Sequence, residues 1–433
     1  MILVVHTTNL SRRPHLSTAR AYAPRLALLQ KGPTWERAFA DRVADVDTHD
    51  LDACVSAALR LHEQEPIDGV VAFVEHSVQA AAVIAERLGL PGLGTRSAVL
   101  ARDKYLMRRA MDAAGVPCPQ YALATTAEAV LDIAGTFGYP LVLKPVIGGG
   151  SQYVRRVDTP AEVVEHFPAI QAGAWSTYDY DPLCAPSRAS YHDAILVESY
   201  VPGGESAVES LVVHGETEVL VVHDKPLPMT GPSFDEIYYA TPSRLAPSRI
   251  AQLHDLTRRV NAALGLRACA THTEFRITPE GNPVALEVAA RIGGGAIYRS
   301  VRHSVGVDMV EAVIDLARGQ LPRLTRHEPR VTGEYSLVAD EEGILEGVDG
   351  LTEARADPHV LEIVLYDEIG TEILALPRAF QPQGHILATA STLDELDHVV
   401  ERLAGSIKFR VRRLPVPDES PPRSAQAELA PGG

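Results

Sequence analysis

The chain has 433 residues, 46% of them hydrophobic, enough for roughly three domain-sized cores. Its 40 basic and 56 acidic side chains give a formal net charge of −16, which excludes the basic footprint of a nonspecific nucleic-acid binder. No apolar run approaches the roughly 18 residues of a membrane span, and the opening MILVVHTTNL lacks the basic start and cleavage site of a signal peptide, so a cytoplasmic protein is expected.

Ile2 to Val5 reads as a short buried strand, and no glycine-rich dinucleotide fingerprint follows it. Leu51 to His62 has helical periodicity. GVVAFV, Gly69 to Val74, is a second buried strand, and Val78 to Leu88 is the helix after it. This alternation implies a parallel sheet, whose ligands sit at the carboxyl ends of the strands. Glu75 and His76 occupy such an end. A second unit starts near Thr95. Ala101 to Ala114 is expected as one helix with Arg102-Asp103-Lys104 at its start, stopped by Gly115 and Pro117. Tyr139 to Pro145 reads as a strand closed by a lysine, Lys144. Gly148, Gly149, Gly150 and Ser151 follow; their backbone N–H groups suit phosphate, and Lys144 supplies charge.

Pro168 to His192 is expected to be an irregular insertion. ILVESY, Ile195 to Tyr200, is a strand that leads to Pro202-Gly203-Gly204-Glu205. Two alternating strands follow, joined at His214-Gly215, and the second ends in Asp224-Lys225-Pro226. Met229 to Pro242 reads as a polar loop, and Arg249 to Leu264 as an amphipathic helix. Next comes a hairpin about Pro279-Glu280-Gly281-Asn282, where Pro pre-sets φ and Gly and Asn tolerate positive φ. With the turn centred between Glu280 and Gly281, Glu274 falls opposite Glu287. Facing carboxylates repel, so a cation is expected between them, and Mg2+ takes oxygen ligands. Arg291 and Gly293-Gly294-Gly295 follow. From Thr332 the pattern is β-rich with little acid–base chemistry and reads as a structural cap; beyond Leu414 the composition suggests disorder. The cysteines Cys54, Cys118, Cys184 and Cys269 have no paired spacing, and the sixteen histidines form no metal-ligand cluster.

Taken together, the order of these motifs resembles the ATP-grasp superfamily of carboxylate–amine ligases, most of all the L-amino acid ligase (dipeptide synthetase) branch. The resemblance runs from about residue 2 to 411. It implies an α/β fold: an N-terminal α/β domain (1–94), two nucleotide-clasping α+β subdomains (95–320), a β-rich C-terminal region (321–413) and a disordered tail (414–433). It implies that Lys144 and Gly148 to Ser151 hold the ATP phosphates, and that Lys104 and Lys225 also bind the nucleotide. Glu198, Tyr200 and Val201 would read adenine, and Glu205 the ribose. Glu274 and Glu287 would hold Mg2+, with Mn2+ as a substitute, and Arg291 would steady an acyl phosphate. His272 matches a frequent polar position beside the first of these ligands. Two positions depart from the family pattern: Ala289 stands where Asn is usual, and Tyr239 where His commonly follows Glu236. The substrates implied are amino acids or amines. Glu236 is the candidate for an ammonium, with Glu75, His76, Tyr239, Arg291 and Gly294 as pocket walls, and a homodimer is compatible with the resemblance. A carboxylase-type enzyme and an ATP-binding regulator of weakened catalysis are the rival readings.

Overall fold

The computed structural model describes residues 1–414 apart from 8, 178 and 375–381, so the expectation for the tail beyond Leu414 lies outside the described residues. Four strands, β1 (Ile2–Val5), β2 (Leu26–Gln30), β3 (Arg42–Asp45) and β4 (Gly69–Ala72), form a parallel sheet in the order β3-β2-β1-β4. β1 and β2 are fully buried, which matches their unbroken apolar runs. The carboxyl ends of β1 and β4 carry short 3-10 turns, Leu10–Arg12 and Glu75–Ser77.

A second four-stranded sheet contains β5 (Tyr121–Ala124), β6 (Leu141–Lys144), β7 (Arg155–Val157) and β8 (Ile195–Ser199), in the order β5-β8-β6-β7. The large sheet has eight strands. Its first five are β9 (Gly204–Val213), β10 (Glu216–Lys225), β11 (Tyr238–Thr241), β12 (Cys269–Ile277) and β13 (Pro283–Ala289). After β14 (Thr332–Leu337) come β15 (Gly343–Asp349), β16 (Val360–Leu365), β17 (Glu372–Ile373), β18 (Gly384–Thr389) and β19 (Lys408–Arg412). The large sheet runs β13-β12-β9-β10-β11-β14-β18-β16, and β17-β15-β19 form a small sheet of their own. The boundary expected at residue 320 therefore does not separate sheets, because β11 pairs directly with β14.

Three local expectations are corrected. The single helix over 101–114 is two, Thr95–Arg102 and Lys104–Ala113, broken where the Asp103 side chain accepts the Leu106 N–H at 2.9 Å and caps the second. The segment 168–192 is largely helical, in Pro160–Ser176 and Cys184–Tyr191; its Trp175, Leu183 and Cys184 pack into the core beneath β6 and β8, an override of local composition by burial. The loop 229–242 ends in β11, a fully buried four-residue strand. Helix Pro247–Ala263 meets its expectation to within two residues.

The hairpin pairs Glu274 with Glu287, as the sequence implies, but by a different route. Near the turn the register is Ile277 with Pro283 and Phe275 with Ala285, half a step from the assumed centre. A bulge at Leu286 then restores the Glu274–Glu287 pairing.

Candidate active site

A cavity of about 540 Å³ is lined by strand residues of the second sheet and the large sheet and by the turns that follow β1 and β4. Lys104, the first residue of its helix, sends its ammonium to Glu287 Oε1 at 2.8 Å and to the Gly148 carbonyl at 3.1 Å. Lys144, at the end of β6, lies 2.6 Å from Glu198 Oε2. Arg108 takes the other oxygen of Glu198 at 2.7 Å. Burial pushes the Lys144 pKa down, only partly offset by Glu198. Burial alone would raise Glu198, but Arg108 and Lys144 outweigh it and hold it below the usual range. With both oxygens committed to cations, Glu198 positions Lys144 rather than offering a free acceptor. Beside it, Tyr200, Val201, Phe234 and Arg276 form an aromatic and cationic wall, with the Tyr200 and Phe234 rings stacked at 6.5 Å. The loop Gly148 to Ser151 covers the Lys144 side, and Gly150 and Ser151 both have positive φ.

The facing glutamates differ in partners. Glu287 has Lys104, whose charge with that of Lys144 outweighs burial and lowers its pKa. Glu274 accepts from Lys225 and His272, each at 3.2 Å, yet burial and the nearby Glu236 hold its pKa up. Each glutamate of the pair thus has a side-chain cation of its own, Lys104 on Glu287 and Lys225 on Glu274. Lys225 lies beneath the cavity wall and joins Glu205 at 2.5 Å, Glu236 at 2.8 Å and Glu274. These three carboxylates bring oxygens within 4.8 Å of one another, and together they drive the Lys225 pKa well up against the effect of burial. Tyr239, buried in β11, donates to Glu236 Oε2 at 2.7 Å. His272 also bonds Glu209; burial lowers its pKa, but the two glutamates raise it to about 10, so it is an imidazolium at neutral pH.

At the far wall, Arg291 pairs with Glu75, and Arg102 holds the other Glu75 oxygen at 3.2 Å. Those two guanidinium groups overcome burial and bring the Glu75 pKa to about 2. Gly294 lines the cavity with open space where a Cβ would stand. At Gly295 a Cβ would lie 2.1 Å from Glu334 Oε1, so only glycine fits. Glu334 Oε1 accepts from the Ala296 N–H at 3.0 Å and pairs with His385 at 2.8 Å, and Tyr366 completes the chain at 2.7 Å from His385.

Two expectations are corrected by this geometry. His76 is not brought to the cavity: its ring sits 3.2 Å from the Tyr180 hydroxyl and 3.5 Å from Asp181. The C-terminal region is more than a cap, since Glu334, Tyr366 and His385 line the cavity. Sequence reading also missed Arg12, Arg102, Arg108, Glu209 and Arg276. Arg108 had a signal, because it follows Lys104 by four residues and so shares its helix face. Glu334 and His385 had none; the β14–β18 pairing joins residues 51 apart in sequence.

Comparison with known proteins places this geometry. Residues 137–299 match the ATP-grasp domain family and residues 32–92 the ATP-grasp N-terminal domain. The chain thus carries an ATP-grasp domain behind an ATP-grasp N-terminal domain, and an ATP-grasp domain implies nucleotide binding. Residues 336–412 match L-amino acid ligase C-terminal domain 2, which gives it the domain order of the L-amino acid ligases. The uncharacterized protein y4rH of Sinorhizobium fredii is 29% identical over 415 residues, 95% of this chain and 83% of that protein. Alanine–anticapsin ligase of Bacillus subtilis is 28% identical over 275 residues, 60% of this chain but only 56% of the relative's own length. The crystal structure of L-amino acid ligase from Bacillus licheniformis shares the fold with a TM-score of 0.79 at 24% identity, covering 95% of this chain and 99% of that one. No helix among the described residues is long and apolar enough to cross a membrane.

Proposed function

We propose that this protein joins the carboxylate of an amino acid to the amine of another amino acid or small amine, with ATP converted to ADP and phosphate. The observation that carries the reading is the pair Glu274 and Glu287, opposed on neighbouring strands in a cavity otherwise walled by Lys104, Lys144 and Arg291. Phosphoryl transfer is mostly positioning and charge neutralisation, and this wall has the groups for it. Two carboxylates on one cavity face are a fitting donor set for Mg2+, which prefers oxygen and keeps part of its water. Glu274 and Glu287 would hold the ion, which supplies charge neutralisation at the transferring phosphoryl group. Ala289 offers no third oxygen, and it stands opposite the protonated His272.

In this reading Lys104, Lys144 and the backbone of Gly148 to Ser151 grip the phosphates. Lys225 holds Glu205 and Glu236 in place from below. The substrate carboxylate oxygen bonds to the γ-phosphorus as the bond to the ADP oxygen breaks. The amine nitrogen, having lost a proton, then attacks the acyl carbon, and phosphate leaves with the bonding pair. Arg291, fixed by Glu75, stabilises charge on the acyl phosphate and on the tetrahedral carbon. Glu236 takes the donor ammonium and keeps it from competing as the nucleophile. Incubation with ATP, Mg2+ and amino acids, singly and in pairs, tests the reading by mass spectrometry. ADP, phosphate and an amide are expected; AMP and pyrophosphate would overturn it. ATP binding without any ADP release would favour the weakened regulator that Ala289 suggests.

A further inference from the structure

Arg12 stands out among the cavity residues. It closes the 3-10 turn at the carboxyl end of β1, a turn fixed by Asn9, whose side chain accepts the Ser11 N–H at 3.0 Å. It is 93% buried, being 7% exposed, and it lines the cavity. No acceptor among the described residues serves its Nε or Nη1, and it makes no ion pair among them. The other two arginines that line the cavity are neutralised: Arg291 by Glu75, Arg276 by Glu205. The Glu75 carboxylate that acts on Arg12 is already taken by Arg291 and Arg102; a buried cation with no directly paired anion is costly, and at a substrate cavity the missing anion is most simply the substrate's. Burial and the nearby Arg291 lower the Arg12 pKa to about 10, which still leaves it charged at neutral pH.

β14 brings to the same cavity a carboxylate with one oxygen unserved among the described residues. Glu334 is 2% exposed, and its Oε2 has no partner among the described residues. Glu334, held through its other oxygen by His385, and Arg12 both act on Tyr366, and all three line the cavity. A guanidinium fork matches a carboxylate in plane and spacing.

We propose that Arg12 recognises a substrate carboxylate other than the one that is activated. The proposal rests on the ligase reading. That carboxylate belongs either to the amine-bearing substrate, which is then an amino acid and yields a product with a free carboxylate, or to the side chain of an acidic donor. Both sources present the same chemistry to Arg12.

Two assay arms separate them, each run with the wild type, Arg12→Gln and Arg12→Lys. In the donor arm the twenty amino acids are offered with ATP, Mg2+ and hydroxylamine, which traps an acyl phosphate as hydroxamate, and aspartate and glutamate are compared with their amides. In the acceptor arm the best donor is offered an amino acid or its α-carboxamide. We expect the wild type to favour the free acid in one arm by roughly tenfold to a hundredfold in kcat/KM, the scale of a charge-assisted contact. Arg12→Gln should bring that ratio near one, mainly through KM, and Arg12→Lys should restore part of it. Equal use of acid and amide in both arms, or a preference that survives Arg12→Gln, would overturn the proposal. Hydroxamate from no amino acid would instead sink the ligase reading, and this inference with it; hydroxamate formation with no preference for acid over amide in either arm would sink the inference alone.

Discussion

Lys144 and Glu75 test the two ends of the cavity one side chain at a time. Lys144 is buried with its ammonium on Glu198, whose other oxygen is on Arg108. Lys144→Ala leaves Glu198 neutralised by Arg108, so the fold should persist while turnover falls by about 10²-fold, the scale of losing one preorganised electrostatic group. Steady-state ADP release checks this, and wild-type turnover would mean that other groups grip the phosphates. Glu75 makes a pH-dependent claim. Its pKa falls from 4.5 to about 2 on folding because Arg291 and Arg102 outweigh burial. A depressed carboxylate stabilises fully above its unfolded pKa, and that stabilisation is lost as pH falls through the folded pKa. Glu75→Gln should therefore cost about 3 kcal/mol at pH 7, as for one broken buried pair. The gap in melting temperature from the wild type should narrow steadily as pH drops from 4.5 towards 2. A gap that stays constant across that range would mean the pair does not carry the stabilisation.

Among the elements, the hairpin β12–β13 shows how much local sequence can reveal. Pro279 to Asn282 is strong turn chemistry, and the strands beside it are rich in β-formers, so existence and pairing were legible. The bulge at Leu286 was not, because nothing in the side chains there marks an extra residue. Burial hid other features. Pro168 and the small polar residues around it suggest a loop, yet Phe167, Ile170, Ala174 and Trp175 form a helical apolar face that only the neighbouring sheet makes visible. The lysines and glutamates were legible because charge beside glycine or within a strand is unusual. Arg12, Glu334 and His385 were silent because their meaning comes from partners distant in sequence. The loop after β13 yields the prediction at this scale. Gly295 has φ +54°, and a Cβ would sit 2.1 Å from Glu334 Oε1 and 2.6 Å from His385 Nε2. Gly295→Ala should destabilise by about 1–2 kcal/mol from backbone strain alone, with a further loss as Glu334 is displaced. Chemical denaturation measures it, and an unchanged midpoint would contradict the close packing of this loop.

For the whole molecule, the cavity is assembled from parts whose cores are only partly separate: the second sheet has its own core, while the parallel sheet shares one with the large sheet. The parallel sheet supplies Arg12 and Glu75 from the carboxyl ends of β1 and β4, the second sheet supplies Lys144 and Glu198, and the large sheet supplies Glu274, Glu287 and Glu334. Arg102 ties three of these parts together through Glu75, Asp181 and the Gly148 carbonyl. Such convergence suits a reaction in which a carboxylate, a nucleotide and an amine must meet in order with water kept out. The central claim is that the donor carboxylate is activated as an acyl phosphate, and oxygen transfer tests it most directly. With both carboxylate oxygens of the donor amino acid labelled with 18O, ligation in unlabelled water should deliver one labelled oxygen into inorganic phosphate, alongside unlabelled ADP. Label recovered in AMP, or phosphate that carries none while amide accumulates, would contradict the account.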